Sequence, residues 1–325
     1  MNDDFFDAPA LAKAYSSPMT SSFLRASLLL AIGTGPVLEA MAQTTPAPNA
    51  ILAGSATPQL ISRQFKFTEG PAVDKAGNVF FTDQPNDKIW KYGTDGKLSV
   101  FLEKAGRANG TYFDEKGNLL ACADEHNQLW SIAPDGKVTV LVKDVQGHRL
   151  NGPNDLWLHP TNGGIYFTDP YYQRDYWTRT APDPGISGQK TYYLAKGQSQ
   201  PVVVDDQLQK PNGIIGTTDG KLLYVGDIGG NKTYRFQIAP DGKLTNRTLF
   251  ADQGSDGMTI DNEGNVYLTG HGVTVYNAAG QQIQHIDVPA DWTGNVCFSG
   301  KDRKTLFITA SEGIYILPMR VHGVR

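Results

Sequence analysis

The chain has 325 residues, of which 40% are hydrophobic and 19% charged, and its formal net charge is −4. These values are typical of a globular protein, and the absence of a basic cluster argues against nucleic acid as a main partner. No apolar run after residue 42 approaches the ~20 residues of a membrane-spanning helix, so we expect no membrane span in the mature form.

The first 42 residues are predicted to be an N-terminal extension that contains a candidate signal peptide. From Met19, one basic residue (Arg25) is followed by an apolar stretch and by a small-x-small tripeptide at residues 40–42. This pattern resembles a secretory signal cleaved before Gln43. Cleavage would place the protein in the periplasm or outside the cell, and an uncleaved chain would be cytoplasmic. Residues 43–58, rich in Pro, Ala, Gly and Thr, are predicted to form a linker to one domain at residues 59–325.

Beyond the linker, six segments of roughly forty residues repeat one pattern. Each segment begins with one polar residue and continues through a short apolar strand, a tight turn and a second strand such as NVFFTD, GIYFTDP or NVYLTG. Turn steps of the Asp-Gly and Gly-Asn type supply the positive φ that tight hairpins need. The pattern predicts an all-β fold, a six-bladed β-propeller with four-stranded antiparallel blades. The residues that open the six segments are Glu69, Asn109, Asn154, Asn212, Asp256 and Asn295.

These six residues are expected to form one ring, because the first strand of every propeller blade lines the central axis. Burying the carboxylates of Glu69 and Asp256 costs several kcal/mol each unless a positive charge compensates, and no Lys or Arg occupies a ring position. Oxygen-only ligands favour one divalent cation, Ca²⁺ first and then Mg²⁺ or Mn²⁺, over Zn²⁺ or Cu²⁺, and Zn²⁺ is kept as the last alternative. A polar, water-filled channel is the other interpretation. Asn109 and Asn295 lie in Asn-Gly and Gly-Asn steps and could instead cap a strand or turn.

Other polar residues are expected on the same face of the propeller as the ring. The second strands end in Asp83, Asp124, Asp169, Asp227 and, in the fifth segment, the motif that contains His271. An insertion rich in Tyr and Trp, residues 170–190, is predicted to be either a substrate lid or a self-packed Ω-loop. The crossing that carries His148 and Arg149 could bind an anionic or hydroxylated ligand, or form a solvated loop.

The last segment, from Gly294 onward, supplies only three of the four strands of a blade. We expect residues 59–65 (QLISRQF) to add the missing outer strand, which would close the ring and remove an open edge. Cys122 and Cys297 each lie inside a predicted strand and are expected to be small buried hydrophobic residues rather than a disulfide.

Several of these strings resemble a known family. FTEGPAVD, RLNGPNDLWLHPTNGGIYFTDP, KPNGIIGTTDGKLLYVGD and SDGMTIDNEGNVYLT are similar to motifs of the gluconolactonase / senescence marker protein / luciferin-regenerating-enzyme-like family, over about residues 60–320. The resemblance implies a calcium-dependent six-bladed lactonase, related in fold to paraoxonases. It implies that Glu69, Asn154, Asn212 and Asp256 bind the metal and that Asp256 is also the general base.

The resemblance also implies that the substrate is a sugar lactone such as gluconolactone. A substrate-binding arginine of some animal members has no match, because residues 150–152 are Leu-Asn-Gly here. The candidates for substrate binding are Asn109, Arg149, Tyr171, Trp177 and His271.

The chain has no GxSxG, HExxH, Walker A or GxGxxG motif, which favours metal-assisted attack by water over a nucleophilic side chain. The leading hypothesis is therefore a metal-dependent hydrolase that opens a small-molecule sugar lactone to the aldonic acid. Two alternatives remain: a broader esterase or organophosphate hydrolase, and a non-catalytic ligand-binding propeller with a structural metal. We expect a monomer or a homodimer.

Overall fold

The computed structural model of this protein describes residues 51–178 and 181–324. The candidate signal peptide at residues 1–42 and residues 43–50 of the predicted linker lie outside the described residues. Within the described ranges the regular structure is 24 β-strands and one short 3₁₀ helix, Asp124–His126. No helix in those ranges is long and apolar enough to cross a membrane.

The strands form six four-stranded sheets, which we number as blades 1 to 6. Blade 1 contains β2 (Thr68–Val73), β3 (Val79–Asp83), β4 (Lys88–Tyr92) and β5 (Leu98–Glu103). Blade 2 contains β6 (Thr111–Phe113), β7 (Leu119–Ala123), β8 (Gln128–Ile132) and β9 (Val138–Val142). Blade 3 contains β10 (Leu156–Leu158), β11 (Ile165–Asp169), β12 (Lys190–Leu194) and β13 (Val202–Asp205).

The second half of the chain repeats this arrangement. Blade 4 contains β14 (Pro211–Gly216), β15 (Leu222–Asp227), β16 (Lys232–Ile238) and β17 (Leu244–Ala251). Blade 5 contains β18 (Met258–Ile260), β19 (Val266–Gly270), β20 (Gly272–Tyr276) and β21 (Gln282–Ile286). Blade 6 contains β22 (Thr293–Ser299), β23 (Thr305–Ala310), β24 (Gly313–Pro318) and β1 (Gln59–Ser62).

The blades are arranged as a closed ring. All strand pairs within a blade are antiparallel, and the first strands of successive blades contact one another from β2 through β22 and back to β2. This confirms the predicted six-bladed propeller. In blade 6, β1 pairs with β24, with Gln59 opposite Ile316 and Leu60 opposite Tyr315, so the predicted closure by an N-terminal strand is also confirmed.

The core of the propeller includes residues that precede β1. Ile51 and Leu52 are buried in the core of blades 5 and 6, and Leu52 forms an antiparallel bridge with Met319. The Arg320 N–H donates to the Ile51 carbonyl at 2.9 Å. Residues 51–52, within the stretch predicted to be a linker, are therefore part of the propeller, because their large apolar side chains are buried against blades 5 and 6.

The second strand of each blade forms the bulk of the core. In β3, β7, β11 and β19 every residue is buried, as expected for a strand covered by neighbouring blades on both faces. Three of the hairpins that join first and second strands have the same hydrogen-bond pattern. In each, an aspartate accepts backbone N–H groups of its own turn: Asp74, Asp114 and Asp261. Cys122 and Cys297 are buried free thiols, as predicted.

Candidate functional site

The six ring residues lie at the inner ends of the blades. Five of them are at least nine-tenths buried, with exposed fractions from 1% for Asn212 to 8% for Asn109, and Asp256 is half-buried. Hydrogen bonds join ring members across blades: Asn212 Nδ2 donates to Asp256 Oδ1 at 2.7 Å. Asn295 of blade 6 faces Asp155 of blade 3 across the channel, with its Nδ2 3.4 Å from Asp155 Oδ2. Asn212 and Asp256 are thus joined directly, and the first strands of the six blades contact their neighbours around the channel.

A glycine next to the ring residue allows this close approach. In blades 1, 2, 4 and 5 the ring residue is followed by glycine. A Cβ on Gly213 would lie 2.7 Å from the Asp256 carbonyl oxygen, and side chains at Gly70, Gly110 and Gly257 would overlap the next blade's ring segment. Blade 3 has Asp155 at this position instead, and its side chain projects into the channel. The repeat contained a signal for this residue, because Asp155 interrupts the glycine pattern.

Threonines of the second strands connect neighbouring blades at the ring. The hydroxyls of Thr82, Thr168 and Thr269 donate to the carbonyls of Asn109, Asn212 and Gly294 respectively, at 3.1, 2.7 and 2.7 Å. Each bond runs from one blade to the ring segment of the next. These buried hydrogen bonds hold the backbone that carries the ring side chains.

Asp256 is the most fully oriented carboxylate of the ring. Its Oδ1 accepts from Asn212, and its Oδ2 accepts from the indole Nε1 of Trp292 at 2.6 Å. Trp292 in turn packs edge-to-face against His271, with ring centroids 5.2 Å apart. His271, a predicted substrate-binding residue, therefore contacts the residue that holds Asp256.

Three carboxyl groups share this small volume, and burial raises the pKa of each. Desolvation is the largest cause for Glu69, Asp155 and Asp256. The pKa of Glu69 lies well above its usual value, because the charges of Asp256 and Asp155 add to the effect of burial. The pKa of Asp155 is raised to about 7. Hydrogen bonds from Trp292 and the charge of Arg174 partly offset the effect at Asp256.

The ring residues have the chemistry of a site for a hard cation. Among the described residues Asn212 Oδ1 is buried without a hydrogen-bond partner, while its Nδ2 bonds to Asp256 and to the Tyr172 hydroxyl. A buried carbonyl oxygen that has no hydrogen-bond partner and lies beside carboxyl groups of raised pKa is a suitable ligand for a cation. No group of three or more His, Cys, Asp or Glu in the described ranges could hold a metal, so amide oxygens would have to complete the set.

The loop between β11 and β12, described at residues 170–178 and 181–189, contacts the ring through Tyr172. The Tyr172 hydroxyl accepts from Asn212 Nδ2 at 2.9 Å. Farther along, the Tyr176 hydroxyl donates to Gln84 of the blade 1 loop at 3.1 Å, and the Thr178 N–H donates to Glu125 of the blade 2 loop. The loop of blade 3 therefore contacts residues of blades 1, 2 and 4 rather than packing only on itself.

Two positively charged side chains lie beside the Tyr172 ring. The Arg174 guanidinium and the Lys210 ammonium lie 5.0 and 4.6 Å from the Tyr172 ring centroid. Burial, and then the charge of Arg174, lowers the pKa of Lys210. Burial also raises the pKa of Tyr172 above its usual value, so its hydroxyl stays protonated at neutral pH.

The other predicted substrate-binding residues have contacts within the loops. Arg149 donates from its guanidinium to the Ala181 carbonyl at 2.7 Å. The Tyr171 hydroxyl donates to Gln173, and buried Trp177 packs against Tyr176. Asn109 remains in the ring itself.

Three of the second-strand aspartates have structural roles. Asp83, Asp169 and Asp227 accept backbone N–H groups from the crossing that enters their own blade. Asp124 accepts from Gln84 Nε2 at 3.2 Å. Four residues at the site were not predicted: Asp155, Tyr172, Arg174 and Trp292. The last three lie in a loop or crossing with no repeating counterpart, so no periodic signal marks them.

Comparison with known proteins gives a consistent result. Residues 67–312 match the family model described as "SMP-30/Gluconolactonase/LRE-like region". A gluconolactonase from Zymomonas mobilis is 28% identical over 322 residues, covering 89% of this chain and 88% of that protein. The solved structure of a gluconolactonase from Xanthomonas campestris has a TM-score of 0.77 at 28% identity and covers 82% of this chain and 90% of that one. A calcium-binding regucalcin from Agrobacterium tumefaciens shares the fold, with a TM-score of 0.69 at 19% identity over 83% of this chain and 96% of that one.

Proposed function

The chain belongs to the SMP-30/gluconolactonase/LRE-like family, and we propose that it is a lactone hydrolase that opens a sugar lactone to the corresponding aldonic acid. The observation that carries this proposal is the arrangement around Asp256. Its two carboxylate oxygens are held by Asn212 and Trp292, and the buried carboxyl of Glu69 is close enough for their charges to interact.

We further propose that Glu69, Asn154, Asn212 and Asp256 hold one divalent cation, with Ca²⁺ preferred. The unpartnered Oδ1 of Asn212 and the costly burial of several carboxyl groups support this set. When bound there, the cation would polarise the lactone carbonyl and stabilise the negative charge that develops on its oxygen.

In the proposed reaction Asp256 is the general base. Its carboxylate takes a proton from the attacking water as the water oxygen bonds to the lactone carbonyl carbon. The ring C–O bond then breaks, and the proton passes to the departing alkoxide oxygen to give the free hydroxyl of the aldonic acid. Burial raises the pKa of Asp256, which makes it a stronger base than an ordinary carboxylate, and the bonds from Asn212 and Trp292 hold it in one orientation.

A substrate panel tests the proposal. Purified protein is assayed with glucono-δ-lactone, with a pentonolactone and with phenyl acetate, before chelation, after chelation and after Ca²⁺ is restored. We expect turnover of the sugar lactones that chelation removes and Ca²⁺ recovers. Preference for phenyl acetate would indicate the broader esterase instead. Absence of hydrolysis with every substrate and divalent ion would leave a ligand-binding propeller.

A further inference from the structure

We propose that Arg174 and Lys210 form a binding site for an anionic substituent, a carboxylate or a phosphate, carried by the substrate. The lactone part of this substrate rests on the proposed function, whereas the anion site does not. The substrate class would then be an acidic sugar lactone rather than a neutral one.

The two cations are placed beside the proposed hydrolytic residues. Both lie within 5.0 Å of the centroid of the Tyr172 ring, and the hydroxyl of that ring bonds to Asn212. Asn212 in turn bonds to Asp256. A ligand whose ester faces Asp256 would therefore bring a substituent on its other end toward Arg174 and Lys210.

Neither cation forms a salt bridge in the part of the chain that the structure describes, although the charge of Arg174 reaches Asp256. No carboxylate oxygen there lies within 4.0 Å of Arg174 or Lys210, although other basic residues such as Lys88 and Lys232 do have such partners. Both side chains are half-buried, where screening by water is weaker than at the surface. Two like charges held near each other under these conditions are unfavourable, and an arriving anion would offset their repulsion.

Both residues are also fixed by their backbones. The Lys210 N–H donates to Asp227 Oδ1 at 2.8 Å, and the Lys210 carbonyl accepts from the Ile228 N–H at 3.0 Å. The Arg174 carbonyl accepts from the Trp177 N–H at 3.0 Å. The cations therefore come from two different elements, the 170–189 loop and the crossing before β14, and meet at one aromatic ring. Such pre-positioning lowers the entropic cost of binding an anion.

Kinetics with matched lactones test the proposal. The substrates are glucono-δ-lactone, its 6-phosphate and a glucaric acid lactone, which carry no anion, a phosphate and a carboxylate respectively. We expect a higher kcat/KM for at least one acidic lactone. Lys210→Gln should lower that value about tenfold or more and change the value for the neutral lactone by less than about threefold. Arg174→Gln should lower the value for both lactones, and more for the acidic one, because the charge of Arg174 also acts on Asp256. The substrate that shows the larger loss identifies the anion.

Two further variants control this comparison. Lys232→Gln removes a half-exposed lysine at the start of β16 in the same blade as Lys210, and should change neither value. Arg174→Lys keeps the positive charge and should retain most of the preference. Equal kcat/KM losses for neutral and acidic lactones in the Gln variants would overturn the proposal, because they would indicate a general effect on the fold or on Asn212.

Binding measurements separate the anion site from catalysis. Calorimetry with gluconate and 6-phosphogluconate compares two aldonates that differ only by the phosphate, and glucarate against gluconate does the same for a second carboxylate. A tighter Kd for either doubly anionic ligand that is lost in Lys210→Gln supports the site even if no lactone is hydrolysed. Hydrolysis of neutral lactone without such discrimination would reject the anion site and leave the hydrolase standing.

Discussion

At the scale of single residues, Asp256 depends on donors from two different blades, Asn212 from blade 4 and Trp292 from the crossing into blade 6. A side chain that is already held from two sides loses little conformational freedom when a substrate binds. An effective general base needs this fixed orientation. His271 supports this arrangement from behind Trp292.

We predict that Asp256→Asn lowers kcat about 10²- to 10⁴-fold, the usual contribution of a general base. The amide cannot take a proton from water, and its NH₂ group accepts no hydrogen bond, so either Asn212 or Trp292 loses its acceptor. Steady-state kinetics measure the loss, and circular dichroism shows whether the fold is kept. Asp252→Asn, in an exposed neighbouring position, is the matched control and should be fully active. Wild-type turnover in Asp256→Asn would contradict the assignment of the base.

A second prediction at this scale concerns Asp155. Its pKa is about 7 in the folded protein and about 3.9 in an unfolded chain. The folded state therefore holds this proton more tightly, so the stabilising contribution is complete below about pH 4 and is lost as the pH rises through 7. The largest loss this shift implies is about 4 kcal/mol.

Denaturant unfolding of chelated protein between pH 5 and 8 measures this effect. We expect the free energy of unfolding to fall with rising pH in the wild type and to fall less in Asp155→Asn. In Asp155→Asn the free energy of unfolding should still fall somewhat with rising pH, because the pKa values of Glu69 and Asp256 are raised as well. The same slope in both proteins would show that Asp155 is not the titrating group.

At the scale of elements, β1 is the strand whose removal should matter most. It is the outer strand of blade 6 and pairs with β24, so without it β24 would become an open edge. The segment before it adds the buried side chains of Ile51 and Leu52.

We predict that a chain beginning at residue 66 is destabilised by several kcal/mol or aggregates, in comparison with a chain beginning at residue 51. Burial of two large apolar side chains alone contributes about 3–6 kcal/mol. Thermal unfolding and size-exclusion chromatography of the two chains measure the difference. Equal melting temperatures and equal monomer content would refute closure of the ring by β1.

The repeat made most of the fold predictable from the sequence, because its signals are local. Turn residues and polar strand starts recur at one spacing, so the number of blades and the composition of the ring follow without long-range information. The missing strand of blade 6 was predictable for the same reason. Burial of Ile51 and Leu52 was not, since a short Pro- and Ala-rich stretch carries no periodicity.

The surroundings of the ring were harder to predict. Tyr172 and Trp292 contact ring residues from segments that no other blade repeats, and their paths depend on tertiary contacts such as Tyr176 with Gln84. Arg149 was a candidate ligand residue, yet its guanidinium bonds to the Ala181 carbonyl. Residue type and neighbourhood in sequence do not determine where such a side chain points.

At the scale of the whole molecule, six blades bring three acidic side chains from three distant parts of the chain to one axis. Glu69, Asp155 and Asp256 all have a raised pKa, so each holds a proton more tightly than it would in water. A cation that binds there must displace protons, and protons and metal therefore compete for the folded protein.

We predict that Ca²⁺ raises the melting temperature of chelated protein, and raises it more at pH 8 than at pH 5.5. At a free concentration 100 times Kd the added stability is about 2.7 kcal/mol, or roughly 5–10 °C in Tm for a domain of this size. Because the pKa of Glu69 and of Asp256 is raised, protons compete with Ca²⁺ more strongly at pH 5.5 than at pH 8, so the shift should be smaller at pH 5.5. Glu69→Gln removes one competing proton and one ligand charge, and should reduce both the shift and its pH dependence. A Ca²⁺ shift of equal size at both pH values would place the cation away from these carboxyl groups, and no shift at either pH would exclude a Ca²⁺ site on the axis.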